Sequence, residues 1–183
     1  MIRKFSTGVA ILLVATSFSF LPSLSALAQG NTVELSPVAR SHYQQGFSFI
    51  ATAKNSKSSL NRKEMLNNAV IEFTLAIKES PTFADAYSNR AVAYMQQNKM
   101  NKAEEDLKKA IELNPKNPFA RYNLASLYSL TKKVDLALDQ LDASLANGFD
   151  RYDELRNDPD LANARKDPEF RKVLEKHKVF VMK

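Results

Sequence analysis

Small and apolar residues recur along this chain with the period of an α-helix. Each set is spaced i, i+4, i+7 and so lines one face of a helix. The polar run 96–101 separates two such sets: Tyr87, Ala91 and Tyr94 before it, and Ala103, Leu107 and Ala110 after it. Pro115 then ends the second helix, because proline loses a helical hydrogen bond and clashes with the preceding turn. The predicted unit is helix, turn, helix, stop.

The unit repeats at an interval of 34 residues. Counting from the second set, the equivalent positions are Ala137, Leu141 and Ser144 on one side, and Ala69, Phe73, Ala76 and Pro81 on the other. A period of this length predicts a stacked array of helix pairs, and therefore an all-α fold. Helices are expected at about 83–97, 100–113, 117–131 and 133–146.

The first unit departs from this spacing. Ser36-Pro37 predicts a helix start, and Gly46 then falls where Ala91 falls in the next unit, so that the paired helix can approach closely. Gly46 and Ala69 are 23 residues apart, whereas Ala91 and Ala103 are 12 apart. We map the excess onto residues 54–62 and neighbouring helix extensions and interpret it as a long polar, basic loop, followed by a helix over about 62–79.

The C-terminal residues 150–183 contain two Asp-Pro pairs, at 158–159 and 167–168. Aspartate caps a helix and proline opens it, so short helices are expected near 159–165 and 168–178. Their predicted buried side chains are Leu155, Leu161, Phe170, Val173 and Leu174. Asn147-Gly148 predicts the end of the preceding helix.

Residues 1–28 have the pattern of a secretory signal peptide. Arg3 and Lys4 precede an apolar run at 9–20, and Ala26-Leu27-Ala28 is a small-x-small cleavage site. The mature chain is expected to begin at Gln29, with a flexible start over 29–35, in the periplasm or, in a photosynthetic source, the thylakoid lumen. An uncleaved membrane anchor is the alternative, because the uncharged stretch is long enough to span a bilayer.

Composition narrows the possible functions. The chain has no cysteine, four glycines and two histidines, so it lacks thiol chemistry and a glycine-rich phosphate loop. Removing Arg3 and Lys4 from the 26 basic residues leaves 24 against 20 acidic ones, a net charge of +4. No catalytic set, cofactor or metal site is predicted, and neither nucleic acid nor a small-molecule substrate is expected as a partner. Membrane contact through the leader is expected only if it is retained.

The small and large positions, the 34-residue period and the closing prolines Pro81 and Pro115 resemble the tetratricopeptide repeat family. The resemblance implies a right-handed superhelical stack of antiparallel helix pairs, with about three repeats plus short C-terminal helices. The repeats would cover 36–81, 82–115 and 116–149, and residues 150–183 resemble a segment that often closes bacterial arrays of this kind. In this family the first helix of each pair lines a concave groove that binds a peptide or a helix of a partner protein.

Carried over by position, the groove would be lined by Tyr43, Phe47, Ile50, Ser88, Asn89, Val92, Met95, Phe119, Tyr122, Asn123 and Ser126. Phe47 and Tyr122 are the predicted aromatic anchors, unless several of the groove residues pack against the C-terminal segment or against neighbouring helices instead. Some family members hold a partner's terminal carboxylate with basic residues in the groove. Here Tyr43, Phe47, Phe119 and Asn123 stand at those positions, which argues against that chemistry.

The sequence therefore favours an exported, non-enzymatic scaffold or adaptor that binds a protein or peptide partner during assembly or maintenance of an envelope or membrane complex. Two alternatives stay open. One is a non-catalytic subunit of an envelope enzyme. The other is a module that binds envelope glycan or anionic lipid through Lys54, Lys57, Arg62 and Lys63.

Overall fold

The computed structural model describes residues 35–179, which lie in one compact unit and contain eight α-helices and no strand. The signal peptide predicted at 1–28 lies outside these residues. The helices are α1 (Pro37–Asn55), α2 (Ser59–Glu79), α3 (Ala84–Gln96), α4 (Met100–Leu113), α5 (Pro118–Leu130), α6 (Val134–Ala146), α7 (Tyr152–Asn157) and α8 (Pro168–Lys176). The all-α prediction is confirmed, and α3 to α6 begin and end within one residue of their predicted bounds.

Helix ends follow the capping residues in the sequence. The Ser36 hydroxyl accepts a hydrogen bond from the Ala39 amide ahead of Pro37. Gly148 has a φ of 91°, a conformation that glycine adopts without a steric penalty, and it ends α6 as predicted.

The two helices of each pair approach closely at a small residue. In the first pair this residue is Gly46, where an added Cβ would lie 2.8 Å from the buried Phe73 ring. In the second pair Ala91 and Ala103 are both fully buried. A larger side chain at these positions would force the helices apart.

We expect Ala103→Leu to lower the free energy of unfolding by about 1–3 kcal/mol, because it overpacks a closed contact. Thermal or urea unfolding measures this loss. The matched control is Asn101→Leu, which adds a similar side chain at an exposed position of the same helix. Equal stability of the two variants would contradict the helix pairing described here.

The connection in the first pair differs from the prediction of a long basic loop. Only residues 56–58 separate α1 from α2, the same length as the 97–99 connection between α3 and α4. The 11 extra residues instead lengthen the two helices. Ser58 caps α2 through its hydroxyl, which accepts from the Asn61 amide, so the second helix starts at Ser59 rather than near 62.

In the second and third units, a side chain of the first helix bonds the carbonyl oxygen of the proline that closes the preceding unit, but the residue type differs. The Tyr87 hydroxyl donates to the Pro81 carbonyl oxygen at 3.2 Å. In the next unit Arg121 takes the place of Tyr87, and its Nε and Nη2 donate to the Pro115 carbonyl oxygen, each at 3.1 Å. The substitution therefore preserves the hydrogen bond to the carbonyl six residues earlier.

The C-terminal segment, residues 150–179, covers the last helix pair. The prediction of a helix over 159–165 is wrong. Asp158 adopts an extended backbone before Pro159 and so ends the earlier helix α7, and two 3-10 turns follow, at Pro159–Leu161 and Ala164–Lys166, in place of the expected helix. α8 is as expected but ends at Lys176. Four of the five side chains predicted to be buried are buried: Leu155, Leu161, Phe170 and Leu174. The fifth, Val173, is half-buried.

The core is continuous from α3 to the C-terminal segment. One cluster of buried residues runs from Ala91 through α5 and α6 to Val179, and a smaller one, around Phe73, lies between α1, α2 and α3. Among the helices of residues 35–179, none is both long and apolar enough to cross a bilayer.

Candidate functional site: the inner face

The predicted groove residues lie on the first helix of each pair, and we call the surface they form the inner face. Its members on α1 are Tyr43, Phe47 and Ile50, those on α3 are Ser88, Asn89, Val92 and Met95, and those on α5 are Phe119, Tyr122, Asn123 and Ser126. The helical spacing that places them together is the one that the sequence predicts. Their accessibility differs from one end of the array to the other.

Hydrogen bonds between neighbouring helices join the inner face. The Asn89 amide nitrogen donates to the Tyr43 hydroxyl at 3.0 Å and to the Asp85 carbonyl oxygen at 2.9 Å. The Asn123 amide nitrogen donates to Ser88 Oγ at 3.2 Å. Burial, and then the charge of Asp85, raise the pKa of Tyr43, so its hydroxyl stays protonated. The amide groups of Asn89 and Asn123, both predicted groove residues, therefore hold adjacent helices together.

The third-repeat end of the inner face is covered by the C-terminal segment. Asp158 Oδ2 accepts from the Tyr122 hydroxyl at 2.7 Å and from Ser126 Oγ at 3.4 Å. Tyr122 is 5% exposed and Ser126 is 3% exposed. Both are therefore packed beneath residues of this chain, and the expectation that Tyr122 is an open anchor is corrected.

Aromatic stacking reinforces this closed end. The Tyr122 ring stacks on Phe149 with centroids 4.3 Å apart and an interplanar angle of 8°. Burial, followed by the hydrogen bond to Asp158, strongly raises the pKa of Tyr122. Its hydroxyl therefore remains a donor to Asp158 at any physiological pH.

Phe119 marks the border between the closed end and solvent. It is 38% exposed. Its ring meets Phe149 edge-on at 5.7 Å, and the Arg151 guanidinium lies 4.6 Å above it. A guanidinium at this distance makes a cation–π contact. Much of Phe119 is thus engaged by the C-terminal segment.

The first- and second-repeat end of the inner face is open except at Ser88, which is 4% exposed. Phe47 is 57% exposed, while Ile50, Val92 and Met95 are half-buried. Tyr43 is also half-buried, and its ring packs against Phe83 at 4.8 Å and Phe73 at 5.8 Å. An apolar ligand could therefore contact Phe47 without displacing any part of residues 35–179.

Sequence reasoning missed the residue that closes the other end. The sequence pattern identifies Asp158 only as a helix cap, and its Oδ1 does accept from the Asp160 amide at 2.9 Å. Its second oxygen reaches α5, a contact between positions 36 residues apart. The Asp-Pro spacing predicts a cap, but no local pattern indicates where the free oxygen of the cap points.

Comparison with known proteins supports the repeat architecture. Residues 84–117 and 107–143 match family models described as tetratricopeptide repeat. These matches and the fold confirm the repeats that the 34-residue period predicts. The longer pair α1–α2 lies outside both matches.

Solved structures with a similar fold include two tetratricopeptide proteins. The TPR2B domain in the TPR2B-domain:pHsp70 complex of yeast Sti1 is 25% identical, with a TM-score of 0.53 over 76% of this chain and 95% of that one. A thermophilic TPR protein of Thermus thermophilus is 22% identical, with a TM-score of 0.55 over 78% of this chain and 64% of that one. The second likeness shows the fold alone.

A curated relative matches over a short segment. This relative, a chloroplastic protein of Arabidopsis thaliana, is 36% identical over 56 residues, which make up 31% of this chain and 17% of that protein. The chain therefore spans less than a fifth of the length of this relative.

Proposed function

We propose that this protein is a non-catalytic adaptor that binds an apolar segment of a protein partner at the open end of the inner face. The observation that carries the proposal is the exposure of Phe47, a large aromatic side chain that is 57% exposed on a first helix. Aromatic side chains at such positions are typical anchors of protein interfaces. The half-buried Ile50, Val92 and Met95 extend the apolar surface around it.

The yeast domain supports a role in binding a protein or peptide partner, since it is a tetratricopeptide domain solved in a complex with pHsp70. The chemistry expected here is different from the capture of a charged terminus. Tyr43, Phe47, Phe119 and Asn123 contribute no positive charge to the inner face. The preferred ligand is therefore an apolar helix or extended segment.

The contacts of the two histidines also favour a binding role over catalysis, because each histidine is paired with a carboxylate in a contact that joins two parts of the fold. His42 Nδ1 lies 2.7 Å from a Glu72 carboxylate oxygen, and His177 Nε2 lies 2.7 Å from an Asp142 carboxylate oxygen. Each pair joins two parts of the fold, α1 to α2 and the end of α8 to α6 respectively. Neither histidine is on the inner face.

We further propose that the adaptor acts after export, in assembly or maintenance of an envelope or membrane complex. The support for export is the sequence of residues 1–28. Sequencing the N-terminus of the exported protein tests it: a mature chain starting at Gln29 is expected, and a product that retains residues 1–28 and stays in the membrane would favour the anchor.

Phe47→Ala is expected to weaken partner binding by about thirtyfold or more, because truncating an aromatic anchor typically costs about 2 kcal/mol. The partner is first identified by photo-crosslinking from Met95 in intact cells, then titrated against purified variants. Since Phe47 is largely exposed, the melting temperature should stay close to that of the wild type.

Ile71→Ala is the matched control. Ile71 is 55% exposed, belongs to the same helix pair and lies on the second helix rather than the first. It should bind like the wild type. Equal affinities of all three proteins would show that the inner face is not the interface.

A further inference from the structure

The connection between α1 and α2 extends further than the other connections of the array. Counted from Gly46, α1 continues for nine residues to Asn55, and α2 begins ten residues before Ala69, at Ser59. The corresponding lengths in α3 and α4 are five and three residues. At 1.5 Å per residue, the first pair therefore projects about 6–10 Å beyond its neighbour. We call residues 54–63 the tip.

The tip is strongly positive. Its basic side chains are all exposed: Lys54, Lys57, Arg62 and Lys63. Residues 35–63 contain no aspartate or glutamate, and the first carboxylate after the tip is Glu64. Among residues 35–179 no carboxylate makes an ion pair with these four side chains. Their charge is therefore available to an external partner.

An exposed leucine lies between the basic residues of the tip. Leu60 is 71% exposed, the highest value among the large apolar side chains of residues 35–179. It is in the first turn of α2, three residues from Lys57 and three from Lys63. An apolar side chain surrounded by flexible cations matches the interface of an anionic bilayer, which offers headgroup charge and acyl chains at adjacent depths.

We propose that the tip binds the surface of an anionic bilayer, with Leu60 entering the interface and the basic side chains contacting headgroups. None of the four basic side chains lines the depression found at the tip. This depression is lined by Thr52, Asn55, Ser56, Asn61, Glu64 and Met65. A small anion or an acidic peptide requires convergent donors, whereas a charged plane does not.

The other two connections within helix pairs also support an orientation in which the tip faces the bilayer. Because the helices of each pair are antiparallel, all three connections lie at the same edge, and the other two also carry lysines. Lys99 and Lys102 lie over the Tyr94 ring, at 5.9 and 5.7 Å from its centroid. These lysines are set back from the tip by about one screening length at physiological salt, so they add weaker attraction.

The absence of cysteine allows a local test in the full-length chain. Leu60→Cys introduces a single thiol for an environment-sensitive fluorophore. Vesicles of phosphatidylglycerol and phosphatidylcholine should shift its emission to the blue, and pure phosphatidylcholine vesicles should not. A fluorophore at Ile71→Cys, about 16 Å further along α2, should not respond.

Paired charge reversals distinguish the effect of charge at the tip from the effect of the net charge of the protein. Lys54→Glu with Lys57→Glu should lower partition onto anionic vesicles by at least about 25-fold, since each lysine near such a surface contributes about fivefold. Lys78→Glu with Lys116→Glu makes the same change in net charge at positions away from the tip. This control should change partition by less than about twofold by the same reasoning.

Three results would overturn the proposal. The first is an absent shift with anionic vesicles, and the second is an equal shift with neutral ones. The third is a response of the Leu60→Cys fluorophore to an acidic peptide or an anionic glycan but not to vesicles, which would assign the tip to that partner. None of these measurements depends on the inner face.

Discussion

Replacing Arg90 with alanine is expected to lower the free energy of unfolding by about 3–5 kcal/mol, because it leaves a buried carboxylate without its partner. Arg90 Nε lies 2.7 Å from Asp106 Oδ2, and Nη2 lies 2.8 Å from Oδ1. The two side chains are 16% and 10% exposed. Burial alone would lower the pKa of Arg90, but the hydrogen bond to Asp106 raises it, so the guanidinium stays charged.

The same guanidinium joins three helices. Its Nη1 donates to Thr74 Oγ1 on α2 at 3.0 Å, while Asp106 lies on α4. Its carbon also lies 5.6 Å from the Tyr87 ring centroid and 5.9 Å from that of Tyr94. The variant therefore loses packing and cation–π contacts as well as the ion pair.

Urea unfolding of three variants separates these contributions. The double variant Arg90→Met with Asp106→Leu removes both charges and should recover part of the lost stability. Lys108→Ala breaks a surface pair with Glu104 in which the lysine is 61% exposed, and should change stability by less than about 0.5 kcal/mol. If Arg90→Ala behaves like Lys108→Ala, the pair is open to solvent in solution.

Tyr122→Ala is expected to lower the free energy of unfolding by about 3–5 kcal/mol. The substitution removes a buried ring stacked on Phe149 and the hydroxyl that donates to Asp158. Because both partners lie beyond α6, in or next to the C-terminal segment, residues 149–166 should lose protection from hydrogen exchange before α3 and α4 do.

Tyr122→Phe distinguishes the two losses. It keeps the stacked ring and removes only a hydrogen bond to a carboxylate, at a cost of about 1.5–3 kcal/mol. Phe119→Ala, at a position that is 38% exposed, serves as the control and should cost less than Tyr122→Ala. A melting temperature of Tyr122→Ala equal to that of the wild type would mean that the segment does not cover α5 in solution.

Local patterns were sufficient for most of the fold. The i, i+4, i+7 spacing predicts an apolar helix face, so α3 to α6 and the close contact of α3 with α4 at Ala91 and Ala103 follow from sequence. The caps at Ser36 and Gly148 are equally local, since a side chain or a φ value acts on its own turn. The resemblance to tetratricopeptide repeats places the candidate groove residues on the first helices.

Predictions failed where the sequence pattern was compatible with two different local structures. Residues 54–62 are polar and basic, which suits either a surface loop or the solvent-facing end of a long helix. These residues mostly extend the two helices because Ser58 caps α2 and because Ala53, on α1, is fully buried. Similarly, Asp158-Pro159 predicts a helix start but not the length of the helix, and two 3-10 turns form instead.

Thus the sequence by itself determined the helix pairs, their period, the tight positions and the residues that share the inner face. Only the tertiary structure decided which of those residues are accessible. Tyr122 and Phe47 are both predicted groove anchors on first helices, yet one is 5% and the other 57% exposed. The difference arises from Asp158 and Phe149, which are distant in sequence from α1 and close in space to α5. A periodic pattern records which face of a helix is apolar, whereas the element that covers that face depends on where the chain folds back.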